Sequence, residues 1–198
     1  MKKFFAIVTV FVISASAVFA QGAWTFDRAH SGLRFAVSHM VVSEQKGRFD
    51  DFKVDVKSDK EDFSDAQIEV TINMNTINTE DGKRDGHLKN DDFFSVAKFP
   101  TAVFKSTQLQ KVGGNQYKLV GTLTMKGVTK PITLDLKLNG VLKGQGKDKN
   151  TSIAGFKMSG VINRKDWGIT YGRVLDTGGL AIGEEVTLEA SVELHRTM

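Results

Sequence analysis

Five apolar residues in a row, Ala66, Ile68, Val70, Ile72 and Met74, are interleaved with Gln67, Glu69, Thr71, Asn73 and Asn75. A period of two puts all five on one side of a strand and leaves the other side wet. The same alternation recurs along the chain. Leu33, Phe35, Val37 and His39 share a side, as do Phe52, Val54 and Val56. Tyr117, Leu119, Gly121, Leu123 and Met125 follow, then Ile132, Leu134, Leu136 and Leu138. Ala154, Phe156, Met158, Gly160 and Ile162, and finally Val186, Leu188, Ala190, Val192 and Leu194, complete the series. A shorter strand over Ala23–Asp27 precedes these, broken from the next by His30-Ser31-Gly32. Ala102, Phe104 and Ser106 continue extended toward a Gly113-Gly114-Asn115 hairpin turn.

About eight long strands, joined mostly by short turns, must each bury one apolar face. A sandwich would do this, but eight long strands favour a closed barrel, which also removes exposed edges. The expected fold is therefore all-β, an extended antiparallel eight-stranded barrel. An eight-stranded barrel either fills its interior or holds one ligand. Gly121 and Gly160, on the inward face, would leave space and tilt the expectation toward a cavity.

One long stretch, Lys83–Thr107, lacks the alternation. Asp81 is suited to cap a short helix, and the spacing of Leu88 with Asp92 and of Lys89 with Phe93 fits helical turns. A short helical insertion near residues 81–94, followed by Phe93 and Phe94, is expected to act as a lid or plug. Lys57–Ser64 and Lys143–Thr151 read as charged or Gly- and Lys-rich turns. Tyr171–Gly183 reads as an irregular excursion.

Lys2 and Lys3, the apolar run Phe4–Val12 and Val18-Phe19-Ala20 have the layout of a secretory signal peptide. Residues 1–20 are expected to be removed by cleavage after Ala20, leaving 21–198 as one domain. No later apolar run reaches membrane length, so a soluble product is expected. The formal charge is +4, and Lys2 and Lys3 contribute to it, so no nucleic-acid partner is expected. With no cysteine, neither a disulfide nor a lipoprotein anchor is expected.

Catalytic and metal patterns are weak. Ser31, His30 and Asp27 match a hydrolase triad only in composition, with no G-x-S-x-G turn around the serine. His30, His39, His87 and His195 lack the spacing of a zinc motif, and no metal is expected. Arg84-Asp85-Gly86-His87 is better read as an ion pair locking the short helix to the barrel rim than as a catalytic cluster. Lys126–Lys130 lacks the phosphate-loop pattern and reads as a turn. A carbohydrate-binding sandwich would need exposed aromatic residues, for which Trp24 and Trp167 are the candidates.

Several motifs together are similar to the YceI-like family of exported proteins. They are Trp24-x-x-Asp27-x-x-His30-Ser31, Phe35-x-Val37-x-His39-Met40, Gly47-x-Phe49 and Arg84-Asp85-x-His87-Leu88. Phe93-Phe94, Phe99-Pro100-x-x-x-Phe104-x-Ser106 and Gly121-x-Leu123-Thr124-x-x-Gly127-Val128-Thr129-Lys130 continue the order, which Arg164-x-Asp166-Trp167-Gly168 completes. Two departures are Trp167, where phenylalanine is expected, and Gly86 before His87.

The resemblance implies a lipocalin-like barrel in the periplasm whose apolar lumen holds a polyisoprenoid or other long-chain amphiphile. Quinones, prenyl pyrophosphates, fatty acids and fatty amides are the ligand types it suggests. It implies no enzymatic activity and no cofactor beyond the bound lipid. Leu33, Phe35, Val37, Val70, Ile72, Met74, Phe93, Phe94 and Phe104 are the expected lumen contacts, with Leu119, Leu123, Leu134, Leu136, Phe156 and Met158. His30, His39, Arg84 and His87 are candidate head-group donors at the mouth. Transient membrane contact and a homodimer both fit this reading. The alternative is an enzyme acting on a hydrophobic substrate in the same cavity.

Overall fold

The computed structural model describes residues 23–144 and 149–197. The expected signal peptide, its cleavage point and part of the Lys143–Thr151 turn lie outside the described residues. Strands β1 (Ala23–His39), β2 (Ser43–Phe49), β3 (Phe52–Lys57), β4 (Gln67–Asn73) and β5 (Ile77–Asn78) precede helix α1 (Gly82–Lys89). Strands β6 (Thr101–Gly113), β7 (Gln116–Met125), β8 (Val128–Lys143), β9 (Thr151–Asn163) and β10 (Ile182–Thr197) follow it.

All the strands belong to one antiparallel sheet. The order β10-β9-β8-β7-β6-β4-β3-β1 closes on itself through a β1–β10 pairing, giving the expected barrel of eight. The two remaining strands extend the rim. β2 pairs with the upper half of β1, from Arg34 to His39. β3 takes over only at Ala23 and Trp24. β2 and β3 thus flank β1 in turn, interrupted at Asp50 and Asp51. Sequence reading misses the start of β2 because Ser43, Glu44 and Lys46 carry no apolar stripe; only Phe49 in this strand is buried.

The expected break at His30-Ser31-Gly32 is instead an irregularity inside one long strand. Asp27 pairs with Glu193 and Gly32 with Ser191, so Arg28–Ser31 stand against Val192 alone. Asp27 Oδ1 accepts hydrogen bonds from the backbone amides of Ala29 (2.8 Å) and His30 (3.1 Å). The extra residues therefore find side-chain acceptors where the ladder cannot supply them.

The two ends of the barrel are built differently. Trp24 and Phe63 close the lower end, their ring centroids 4.8 Å apart, with Phe156 edge-on to Phe63. Phe63 is 1% exposed and projects from the Lys57–Ser64 segment, which is thus more than a charged turn. The Tyr117 hydroxyl donates to Asp62 O at 2.7 Å, tying that segment to β7. The upper end is covered by α1, the chain after it and the loop before β10.

Trp24 and Trp167 are both buried, and Trp167 Nε1 donates to Leu123 O at 3.1 Å. Neither can be an exposed sugar platform. The spaces beside Gly121 and Gly160 are also filled, correcting the expectation that they open a cavity. A Cβ on Gly121 would lie 2.5 Å from the Phe104 ring, and one on Gly160 would lie 2.4 Å from Leu134 Cδ2. These glycines admit large side chains from adjacent strands; the void lies elsewhere.

Candidate functional site: an apolar lumen beneath a mouth bearing two histidines and an arginine

Two chambers occupy the barrel interior. The lower has a cavity volume of about 60 Å³ and lies above Phe63 and Phe156. The upper, about 140 Å³, lies beneath Leu88, Phe93 and Phe94. Both present an apolar surface throughout, and Leu33, Val70 and Met158 line both. An apolar void of this kind offers water too few partners and suits a hydrocarbon better.

Each expected lumen residue faces one chamber or both. Leu119, Leu136 and Phe156 line the lower one. The others, from Phe35 and Val37 through Ile72, Met74, Phe93, Phe94 and Phe104 to Leu123 and Leu134, line the upper. Phe52, Phe63, Leu88 and Ile132 also line the chambers and were not singled out from sequence. The strand positions among these were available from the alternation. Phe63, within a charged segment, gave no such signal.

The mouth is a recess of about 250 Å³. It shares Phe35, Val37, Leu88 and Phe93 with the upper chamber and adds His39, Thr79, Arg84, His87 and Tyr171. Three of the four expected head-group residues therefore meet here. His30 does not. It lies on the outer wall by Asp27, its Nδ1 2.9 Å from Asp27 Oδ2, and its side chain is 67% exposed. The β1 irregularity, invisible as such in the sequence, carries it there.

Local chemistry fixes the mouth. Asp81 caps α1, with Oδ1 accepting from the amides of Lys83 (3.0 Å) and Arg84 (3.1 Å). The Arg84 amide bond, followed by that from Lys83, holds the Asp81 carboxyl below its usual range despite desolvation. Arg84 Nε donates to Thr79 Oγ1 at 2.8 Å and its Nη2 to Thr79 O at 2.9 Å. Asp85 Oδ1 accepts from the Thr79 amide at 2.8 Å and hydroxyl at 2.5 Å. Arg84 and Asp85 thus lock the helix to the rim through Thr79, a hydrogen-bonded version of the expected ion-pair lock.

His87 Nε2 lies 2.9 Å from Asp92 Oδ2, and its ring stands edge-on to Phe93 and Tyr171. Ser31 Oγ accepts from the Glu193 amide at 3.0 Å. Arg164, 6% exposed, is the charged residue in the upper chamber's lining. Its guanidinium donates to the carbonyls of Ile169 (2.7 Å), Gly183 (2.8 Å) and Ile182 (3.2 Å). Burial pushes its pKa down, and nearby Glu184 opposes that shift. Those bonds pin both ends of the loop over the mouth.

The chain matches the YceI-like domain over residues 24–194. A UPF0312 protein of Staphylococcus aureus (strain bovine RF122 / ET3-1) is 40% identical over 170 residues, covering 86% of this chain and 95% of the relative. Among solved structures, the YCEI protein of Campylobacter jejuni aligns with a TM-score of 0.68 at 28% identity, covering 96% of this chain and 100% of that one. BcnA of Burkholderia cenocepacia gives a TM-score of 0.70 at 23% identity, with coverages of 85% and 98%. A polyisoprenoid binding domain from Saccharophagus degradans implicated in plant cell wall breakdown gives 0.64 at 18% identity, with coverages of 89% and 99%. The last two likenesses speak to the fold. With the motifs, the closed barrel and the matched span in agreement, this chain belongs to the YceI-like family.

Proposed function

We propose that this protein is a periplasmic binding protein that carries or sequesters a polyisoprenoid or another long-chain amphiphile. The observation that carries this reading is the pair of adjoining chambers with apolar surfaces, opening toward a recess that carries His39, Arg84 and His87. The Arg164 donors in the upper lining are turned to backbone carbonyls. A tail would lie along the barrel axis, with its head group near His39, Arg84 and His87. The solved Saccharophagus degradans neighbour is described as a polyisoprenoid binding domain, which supports the same ligand class.

Each methylene moved from water into such a lumen contributes about 0.8 kcal/mol. A tail drawn from a membrane is already dry, so shape and head-group contacts would decide capture. Met74, Met125 and Met158 line the upper chamber, and their flexible thioethers let its walls move around different tails.

Membrane contact is proposed at the mouth. Val42 is 86% exposed and Val174 64%, and Val41, 63% exposed, adopts a left-handed backbone at φ 65°. A β-branched residue is costly in that conformation. This apolar tip would press into a bilayer while the tail passes. Slower uptake from vesicles by Val42→Asp, with unchanged affinity for dispersed ligand, is expected; an unchanged rate would remove the docking step.

The main test is organic extraction of protein purified from its native host, followed by mass spectrometry. A stoichiometric long-chain amphiphile is expected. An extract indistinguishable from that of an unrelated exported protein, together with no binding of added prenyl or alkyl probes, would overturn the proposal. Turnover of a bound lipid into an altered product would favour the enzyme reading instead.

A further inference from the structure

The barrel's first and last strands bring together four side chains that the lumen does not use. Asp27 and Glu193 stand opposite each other in the β1–β10 register, and His195 stands opposite Thr25. The β1 irregularity turns His30 toward the same point. Asp27 Oδ2 lies 2.9 Å from His30 Nδ1 and 3.5 Å from His195 Nε2. Glu193 Oε1 lies 3.7 Å from His30 Nδ1 and 2.9 Å from His195 Nε2. The ligand atoms of Asp27, Glu193 and His195 all lie within 4.8 Å of one another, and His30 reaches the same two carboxylates from the solvent side.

We propose that Asp27, Glu193 and His195, with His30 turning in as the fourth ligand, form a binding site for a divalent transition metal of the zinc type, which clips the first strand of the barrel to the last. A tetrahedral zinc ion with bonds of about 2.0–2.1 Å to nitrogen and oxygen has ligand–ligand edges of about 3.3 Å. The four carboxylate–imidazole separations, 2.9–3.7 Å, bracket that value. Asp27, Glu193 and His195 supply three ligands as they stand, and the exposed His30 side chain must rotate inward to supply the fourth. Two imidazoles with two carboxylates favour zinc and its neighbours over magnesium or calcium, which prefer all-oxygen shells.

The ligands are also oriented from behind. Asp27 Oδ1 is engaged by the amides of Ala29 and His30, which leaves Oδ2 aimed at the cluster. Ser31 Oγ accepts from the Glu193 amide and anchors β10 at the irregularity. Such outer contacts typically hold metal ligands in place. The exposed edge of His30 leaves the site open to an ion arriving from solvent.

The seam is where a clip would matter most. The β1–β10 pairing joins strands far apart in sequence and closes the barrel, and the sequence has no cysteine to link them. A metal bound by the folded state but not by the unfolded chain stabilises the barrel by mass action.

The test uses mature protein stripped with EDTA, dialysed and titrated with zinc chloride at neutral pH by calorimetry, with magnesium chloride as control. Saturable uptake of one zinc per chain and a rise in melting temperature are expected, with no response to magnesium. His30→Gln and His195→Gln should each weaken zinc binding by at least about tenfold and abolish the melting shift. Glu69→Gln, on β4 away from the seam, should change neither. Absence of saturable zinc binding, or binding that survives both His30→Gln and His195→Gln, would overturn the site and leave the cluster as paired charges. Neither result depends on whether the lumen holds a lipid.

Discussion

The lower and upper ends of the barrel use similar residue types for opposite purposes. At the lower end, Trp24, Phe63 and Phe156 pack ring against ring, leaving the smaller chamber. At the upper end, Phe93 and Phe94 share a lining with methionines and a half-buried helix, leaving the larger chamber and the recess above it. Aromatic residues thus make a floor at one end and a door at the other. The difference lies in their supports. Phe63 sits in a segment tied to β7 by the Tyr117 hydroxyl, whereas the upper cover rests on the contacts of Thr79 with Arg84 and Asp85.

The comparison breaks most readily at the floor. Phe63→Ala should lower folding stability by about 3–5 kcal/mol, as truncation of a fully buried aromatic does. Urea unfolding would measure it, and a loss below 1 kcal/mol would show that the floor is not part of the core. The next largest effect concerns the junction between chambers. Met158→Trp should displace about two methylenes of a long tail, a loss of roughly tenfold in affinity at about 0.8 kcal/mol each. Tails short enough to stay in the upper chamber should be spared. Equal effects on long and short tails would mean that the two chambers are not used in series.

At the mouth, replacing Arg84 and His87 together by alanine should weaken amphiphiles with anionic heads by about tenfold and leave neutral hydrocarbons unchanged. If head-group selectivity and affinity both persist in competition binding, the recess is not the head-group site. The smallest effect is expected from acid. Asp81 has its pKa held below its ordinary 3.8, chiefly by the amide bond from Arg84. Its stabilisation is therefore fully present above 3.8 and lost as pH falls through the lowered value. Amide exchange in α1 should quicken below that point before exchange in β7 does. Simultaneous loss in both would argue against a separately loosened cover.

The barrel was legible because strands that bury one face announce it. β4 and β7 alternate cleanly in sequence, and the helix cap at Asp81 followed from side-chain chemistry. The inward positions of Leu33, Val70 and Met158 were readable for the same reason. Which inward residues border empty space was not readable, because it depends on what the neighbouring strand contributes. Gly121 and Gly160 were expected to open room, yet Phe104 and Leu134 fill it. β2 was hidden by its polar residues, and Phe63 by the charges around it. His30 and His195 share the carboxylates of Asp27 and Glu193 only because barrel closure sets β1 against β10, a juxtaposition that local spacing cannot reveal.

The central claim is that the two chambers act as one tail-binding lumen entered from the recess. Measuring affinity across a series of saturated amphiphiles of increasing length, with one head group throughout, tests it most directly. Affinity should rise roughly fourfold per methylene, the equivalent of about 0.8 kcal/mol, until the lower chamber is full, and then level off. Affinity independent of tail length from the shortest member onward would contradict the account.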